Sequence, residues 1–558
     1  MVPRHFASIR AVASWRQART GALLIAVLLT LPVGFVGTAG SAPAELQTEG
    51  CVLPPPQTLI SNILDSLEGD VLSERTIANV HGDPYREVNI ASSGQVEGCI
   101  LLDSPGRAGG AEVLTDAPEL WFGQPLPIQP ERPFLLRPRA YGPVSHGVAT
   151  LDPAERSGMT VLYPESRSTW NGKLWIVQHG TGPNLPIREL APRDPQANFN
   201  PLMSRNQYAA LMVDKGYAVA WIRKDNAQPT PVTTVQLDDG TIVRRTLNDH
   251  ATLELALTRY AQRFVEERLG EAPRRTYFYG FSGGGQTGRL MNYVPEANLD
   301  RDGTRIVDGF LIDDAGGGFP LPVLFRGDED VLLRSPRDRA NFAPQIDISH
   351  GLYLVDSFLV LKRENARLLL EKGLGDRHRV YEVAGVSHVD VGHGFGRAES
   401  LDLGGLMEAV IDMLDEWVEA GVVPPPSRAD GVDGVQGLPV ALPEIACPLG
   451  VHYPFPADER DEIQASQTTT FARFDGAGLE PLDWHDMLVD MNGNGVQDER
   501  ESVEGAWRRL GLLSVGEAFT TERYATCIEE AAVILAEEGF LPWRVVDHYR
   551  SEVASHPR

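Results

Sequence analysis

Positive charge is in short supply along this chain. Lysine and arginine total 50 against 76 aspartates and glutamates, a formal net charge of −26 over 558 residues. An acidic balance of that size repels phosphate backbones and anionic lipid surfaces, so nucleic acid is excluded as a partner class. Cysteine is scarce as well. Cys51, Cys99, Cys447 and Cys527 are the only four, and no two form a C-x-x-C pair, which speaks against a zinc site. Beyond residue 44 no apolar run approaches the length of a bilayer span, and the chain carries no internal repeat. A polytopic membrane protein and a repeat architecture are thereby excluded.

What remains is a globular composition, 42% hydrophobic and 23% charged, long enough for roughly two to four domains. The N-terminus reads as an export signal over residues 1–44. Arg4, Arg10, Arg16 and Arg19 precede the apolar stretch GALLIAVLLTLPVGFVG, and small residues follow with an A-x-A at Ala42 to Ala44. The alternative, an uncleaved anchor, fits less well because the stretch is short and broken by Pro32 and Gly34. The expectation is a protein that is secreted, periplasmic or at the cell surface, with no stable membrane span after cleavage. In such a compartment the four cysteines imply two disulfides. Of the three possible pairings, Cys51–Cys99 with Cys447–Cys527 is favoured, because each bond then staples one flank of the chain.

Residues 45–131 read as an N-terminal flank of low regularity, rich in proline. From 132 to 422 the rhythm changes to strands alternating with helices. Strand-like HGVATLD, GMTVLYP and GKLWIVQHG come first, then the helical pattern FNPLMSRNQYAALMVDKG, the strand YAVAWIR, the helix DHATLELALTRYAQRFVEERLG and the strand TYFYGFS. RIVDGFLIDD and RVYEVAG continue the series. This alternation predicts an α/β domain with a doubly wound, mostly parallel sheet. A Pro- and Gly-rich stretch at 423–445 reads as a linker, followed by a small, mainly helical C-terminal module at 446–558.

The most informative stretch is RRTYFYGFSGGGQTGRLMNYV, residues 274–294. Gly280-Phe281-Ser282-Gly283-Gly284 fits G-x-S-x-G at the point where a strand hands over to a helix. A nucleophile in such a turn takes a strained backbone conformation, and small flanking residues let chain and helix pass. Ser282 is the candidate nucleophile. An ester carbonyl under attack develops negative charge, for which the amide of Gly283 is one candidate donor. The turn after an earlier strand, His179-Gly180-Thr181-Gly182, supplies the other, through Gly180 and Thr181. A serine needs a base, and His388 in RVYEVAGVSHVDVGHG lies just past an apolar strand, with His393 as a rival. For the carboxylate that orients the base, Asp330 in PVLFRGDEDVLL is chosen and Asp347 is the alternative acid. Asp356 and the pair Asp313-Asp314 stay open.

GFSGGG, QHGTG and YEVAGVSH in this strand order resemble the α/β-hydrolase superfamily. PVLFRGDEDVL and YEVAGVSHVD are similar to motifs of secreted esterases of the tannase, feruloyl-esterase and polyester-depolymerase groups. The resemblance covers about residues 132–422 and implies Ser282 as nucleophile, His388 as base and a loop carboxylate as orienter. It implies a secreted serine hydrolase that cleaves carboxylic esters, small or polymeric, without an organic cofactor. Two other readings compete: a catalytically silent hydrolase-fold binding or surface protein, and a serine peptidase, since the same residues can cleave amides.

A second motif, DMNGNGVQDERE, places oxygen donors at Asp490, Asn492, Asn494, Asp498 and Glu501, with a carbonyl from Val496 and a turn at Gly495. These are the ligand positions of an EF-hand-like loop, so Ca²⁺ is expected there. With no second copy, a structural ion is the expectation.

Overall fold

A computed structural model describes residues 56–103, 141–151, 158–179, 207–222, 233–237, 240, 242–244, 250–293, 297–315, 342–350, 362–363, 366, 369–370, 373–384, 386, 401–429, 435, 437–449 and 503–555. Among the described residues, twelve strands form one sheet. Its order is β12-β11-β10-β9-β5-β6-β4-β2-β3-β7-β8, with β1 also paired to β2.

The half that carries the candidate site is parallel. β5 (Lys173–His179), β6 (Ala218–Ile222), β9 (Arg275–Phe281), β10 (Gly309–Asp313), β11 (Gln345–His350) and β12 (His378–Val383) all run the same way. The other half is antiparallel: β1 (Glu68–Ala78), β2 (Pro84–Asp103), β3 (Tyr141–Leu151), β4 (Gly158–Pro164), β7 (Thr233–Leu237) and β8 (Ile242–Arg244). This is the α/β class expected from the strand–helix alternation, a sheet with a parallel half covered by helices on both faces.

Strands buried on both faces must be apolar on both faces, which is why β4 and β9 read as near-continuous apolar runs. Side chains alternate across the sheet, so each strand feeds two cores. Tyr277, Tyr279, Phe281, Leu311, Ile346 and Ile348 lie in one core. Phe278, Phe310, Ile312, Leu174 and Ile176 lie in the other. The first core is shared with α2 (Gln207–Asp214) and α5 (Gly404–Ala420). The second is shared with α1 (Pro56–Ser66) and α3 (His250–Leu269). Helix α4 (Gly283–Tyr293) also packs on the second side, where Met291 joins that core.

The N-terminal flank differs from the expectation of low regularity. Residues 56–103 form α1, β1 and the 20-residue β2, which pairs with β4 over its first part and with β3 over its second. The stretch expected as a linker is hydrogen-bonded to the sheet edge. Arg428 N–H donates to Val380 O, Glu382 N–H to Arg428 O, and Val440 N–H to Glu382 O, at 2.8, 2.8 and 2.7 Å. Those bonds cover the open side of β12, which would otherwise be an unpaired edge.

The C-terminal residues are helical as expected, with α6 (Pro443–Ala446), α7 (Val503–Arg509), α8 (Thr521–Glu537) and α9 (Trp543–Ser555). Trp507, Tyr524, Leu535 and Val546 enter the first core, and Phe540 meets the Tyr381 ring edge-on at 4.9 Å. Cys447 and Cys527 form a disulfide that ties α8 to the chain before it across 80 residues. A loop of that size restrains the unfolded chain by about 4 kcal/mol in the entropic account. Cys51, the expected partner of Cys99, lies outside the described residues. No described helix is long and apolar enough to cross a membrane.

Candidate active site

The serine sits where the sequence places it. β9 ends at Phe281, α4 begins at Gly283, and Ser282 between them has φ 55°. Among the described residues only Ser282 and Asp314 (φ 42°) are non-glycines with positive φ. A side chain in this region costs of order 1–3 kcal/mol and persists only where the surroundings impose it. Here they do. The Ser282 N–H donates to the Asp313 carbonyl at 2.9 Å, which fixes the peptide plane that turns the chain.

The glycines are required by close approach of backbone to backbone. A Cβ on Gly280 would lie 2.5 Å from the Gly284 carbonyl oxygen, and one on Gly284 would lie 2.2 Å from the carbonyl of Gln178. Helix α4 is thus pressed onto β9 and β5 at its first turn. Ser282 itself is half-buried, and the first-turn amides of a helix, Gly283 included, have no acceptor inside the helix.

Register brings the parallel strand ends to one level. His179 pairs with Phe281, Phe281 with Asp313, Asp313 with Ile348, and Ile348 with Tyr381. β5 thus ends at His179, level with Phe281, the residue before Ser282. Gly180, Thr181, His388 and Asp330 themselves lie outside the described residues, as do Asp356, His393 and the calcium-loop residues Asp490, Asn492, Asn494, Val496, Asp498 and Glu501.

Asp347 is described, and the structure brings it to a different set of partners. It is the third residue of β11, buried, with its carboxylate against Arg289 of α4 at 3.2 Å and His378 Nε2 at 3.0 Å. Gln345 Nε2 donates to its other oxygen at 3.1 Å. Burial pushes its pKa up, but Arg289 and His378 together outweigh that and hold it below the ordinary carboxylate range. These bonds account for Asp347 as the pin that holds α4 to the sheet.

The pair Asp313-Asp314, weighed in the sequence only as triad acids, does something else. Tyr279 OH donates to Asp313 Oδ2 at 2.7 Å, and His350 Nε2 lies 3.3 Å from Asp313 Oδ1. The His350 N–H donates to Asp314 Oδ1 at 2.9 Å, and Lys362 Nζ pairs with the same carboxylate. All of these side chains are buried. Burial holds the Lys362 pKa below the usual lysine range, with Asp314 opposing that shift. The result is a tether. β11 and Lys362 hold the Asp314 carboxylate, and the adjoining Asp313 carbonyl holds Ser282. On the other side of the serine, Gln178 Nε2 donates to buried Glu254 of α3 at 2.8 Å, fixing the strand that leads into Gly180. Glu254 was missed in the sequence because a lone acid in a helical pattern reads as surface. Asp313-Asp314 carried one usable signal, two carboxylates at the end of an apolar strand.

No protein-family model matches the sequence, and no curated protein matches it. Among solved structures the chain is similar to esterase B from Lactobacillus Rhamnosis, at 13% identity and TM-score 0.26 over 41% of this chain and 70% of that one. It is also similar to Thermogutta terrifontis esterase 2, at 15% identity and TM-score 0.29 over 48% of this chain and 91% of that one. A third is LpqC, a poly(3-hydroxybutyrate) depolymerase from Bordetella parapertussis, at 13% identity and TM-score 0.28 over 50% and 91%.

Proposed function

We propose that this chain is an exported serine hydrolase that cleaves carboxylic esters. One observation carries the reading: a serine at φ 55° between a buried parallel strand and a helix, held there by the Asp313 carbonyl. Such strain is retained where presenting a hydroxyl above the sheet edge is useful.

In this reading the Ser282 hydroxyl attacks the ester carbonyl carbon while His388 takes its proton, and the Asp330 carboxylate orients the imidazole. The amides of Gly283 and of Gly180 to Thr181 receive the developing oxyanion. As the carbon–oxygen bond to the alcohol breaks, His388 returns the proton to the departing alkoxide. Water, deprotonated by His388, then cleaves the acyl-enzyme and releases the acid. None of these steps calls on the C-terminal loop. Its donor set of carboxylates, side-chain amides and one carbonyl suits Ca²⁺, which would order that segment through Asp490, Asn492, Asn494, Val496, Asp498 and Glu501.

The test is a matched series of p-nitrophenyl acyl esters and the corresponding anilides, assayed with the full chain. An esterase turns over the esters with kcat/KM roughly a thousandfold or more above the anilides. Comparable rates on both would make it a peptidase. No turnover of either by folded protein would favour the silent scaffold.

A further inference from the structure

The amino-terminal edge of the same sheet carries a second feature that the ester chemistry does not use. A cleft of about 820 Å³ opens between α3, the start of β9 and the turn before β10. It lies about 20 Å from Ser282, the length of β9 at ~3.3 Å per residue. Arg259, Arg263, Arg274, Arg275, Arg301 and Arg305 all line it. In a chain with 50 basic and 76 acidic residues, six arginines in one cleft against Asp65, Glu266, Asp300 and Asp308 reverse the local charge balance.

The acids of the inner wall are already engaged. Asp300 pairs with Arg259 at 2.5 Å. Asp308 accepts the Thr276 N–H at 2.9 Å and faces Arg275 at 3.6 Å. Glu419, from outside the cleft, pairs with Arg275 at 2.9 Å and Arg274 at 3.5 Å. Asp65 and Glu266 are exposed. Arg305 is half-buried, and burial together with the like charge of Arg377 and Arg275 lowers its pKa, with Asp308 opposing. Arg263 and Arg301 are exposed, and neither is in an ion pair among the described residues. Arg305 thus sits among like charges in a cleft that Arg263 and Arg301 also line, and a bound anion would relieve that repulsion and accept charge-assisted hydrogen bonds.

We propose that this cleft binds a small molecule bearing a phosphate or sulfate group, held by Arg263, Arg301 and Arg305. A tetrahedral oxyanion offers three terminal oxygens to the guanidiniums, more than one carboxylate does. The volume exceeds that of a bare ion and falls within the range of small-molecule sites, so the anion is carried on a larger body such as a sugar. The site is independent of Ser282.

The test is calorimetric titration of the full chain with glucose 6-phosphate and glucose 6-sulfate at low ionic strength, with glucose as the neutral control. At least one of the two esters is expected to bind saturably and glucose not at all, and the tighter ester identifies the group. Arg305→Gln is expected to weaken binding tenfold or more, and Ser282→Ala to leave it unchanged. Should Arg305→Gln not fold, the exposed double variant Arg263→Ala/Arg301→Ala decides, with a loss of tenfold or more expected. Binding of neither ester, equal binding of glucose, or unaltered affinity in the folded arginine variants would overturn the proposal.

Discussion

Ionic groups fasten both ends of strand β9, yet in different ways. At the amino end, Lys173 Nζ pairs with Asp415 at 2.6 Å and Tyr277 OH donates to the same carboxylate at 2.5 Å. Those bonds join side chain to side chain and tie the strand starts to α5, and none of the residues that make them is left-handed. At the carboxyl end, the Asp313-Asp314 cluster fastens main chain. It holds the His350 and Ser282 amides, and both Ser282 and Asp314 are left-handed. The first arrangement adds stability. The second spends stability to hold a conformation, as sites that place a reactive group do.

Substitutions at the two ends are expected to behave differently. Ser282→Ala is expected to lower kcat on esters by about 10⁴-fold or more. Ser282→Gly is expected to do the same while raising the unfolding free energy by about 1 kcal/mol, because glycine accepts φ 55° without strain. Steady-state rates and urea melts of the two variants check both halves. Gly284→Ala forces a Cβ to within 2.2 Å of the Gln178 carbonyl. Overpacking of backbone against backbone is expected to cost at least ~3 kcal/mol, read as a loss of soluble protein or a fall in Tm.

The two ends separate in the next pair. Asp415→Asn leaves Lys173 without its charged partner and is expected to cost about 3 kcal/mol with kcat nearly unchanged. Asp314→Asn weakens the tether and is expected to lower kcat by about tenfold, with KM held, even at temperatures where the variant is fully folded. Equal kinetic effects at both ends would show that the carboxyl-end cluster only stabilises.

The smallest effect is that of Asp347, whose folded pKa lies below its unfolded one. A depressed carboxylate contributes stability above its unfolded pKa, near 3.9, and loses it as pH falls through the folded value. The stability gap between wild type and Asp347→Asn is therefore expected to shrink as pH falls below about pH 4. Urea melts across that range measure it.

How much of this was legible in the sequence depends on what each residue packs against. β9, its elbow and the helix after it announce themselves, because an apolar strand buried on both faces and glycines at points of contact leave few other residue choices. β1 and β2 were not legible. Glu87 and Asn89 are buried in β2, where Arg75 at 2.6 Å and Ser73 and Thr160 satisfy them, so polar letters hide a buried strand. β1 is largely exposed, which removes the apolar alternation a strand is recognised by. The edge cover at 423–445 is similar: proline and glycine mark a turn-rich segment, while isolated main-chain bonds to β12 leave no pattern of side chains. The tether escaped for the same reason. Asp313 acts on Ser282 through a carbonyl that every residue possesses.

The proposed ester chemistry rests on Ser282 being an activated nucleophile. Treatment of the full, calcium-supplemented chain with a fluorophosphonate, with the modified peptide mapped by mass spectrometry, probes that activation. A single stoichiometric adduct is expected on Ser282, absent from Ser282→Ala and formed about tenfold more slowly in folded Asp314→Asn. A folded wild-type protein that takes no adduct, or takes it on another serine, would contradict it.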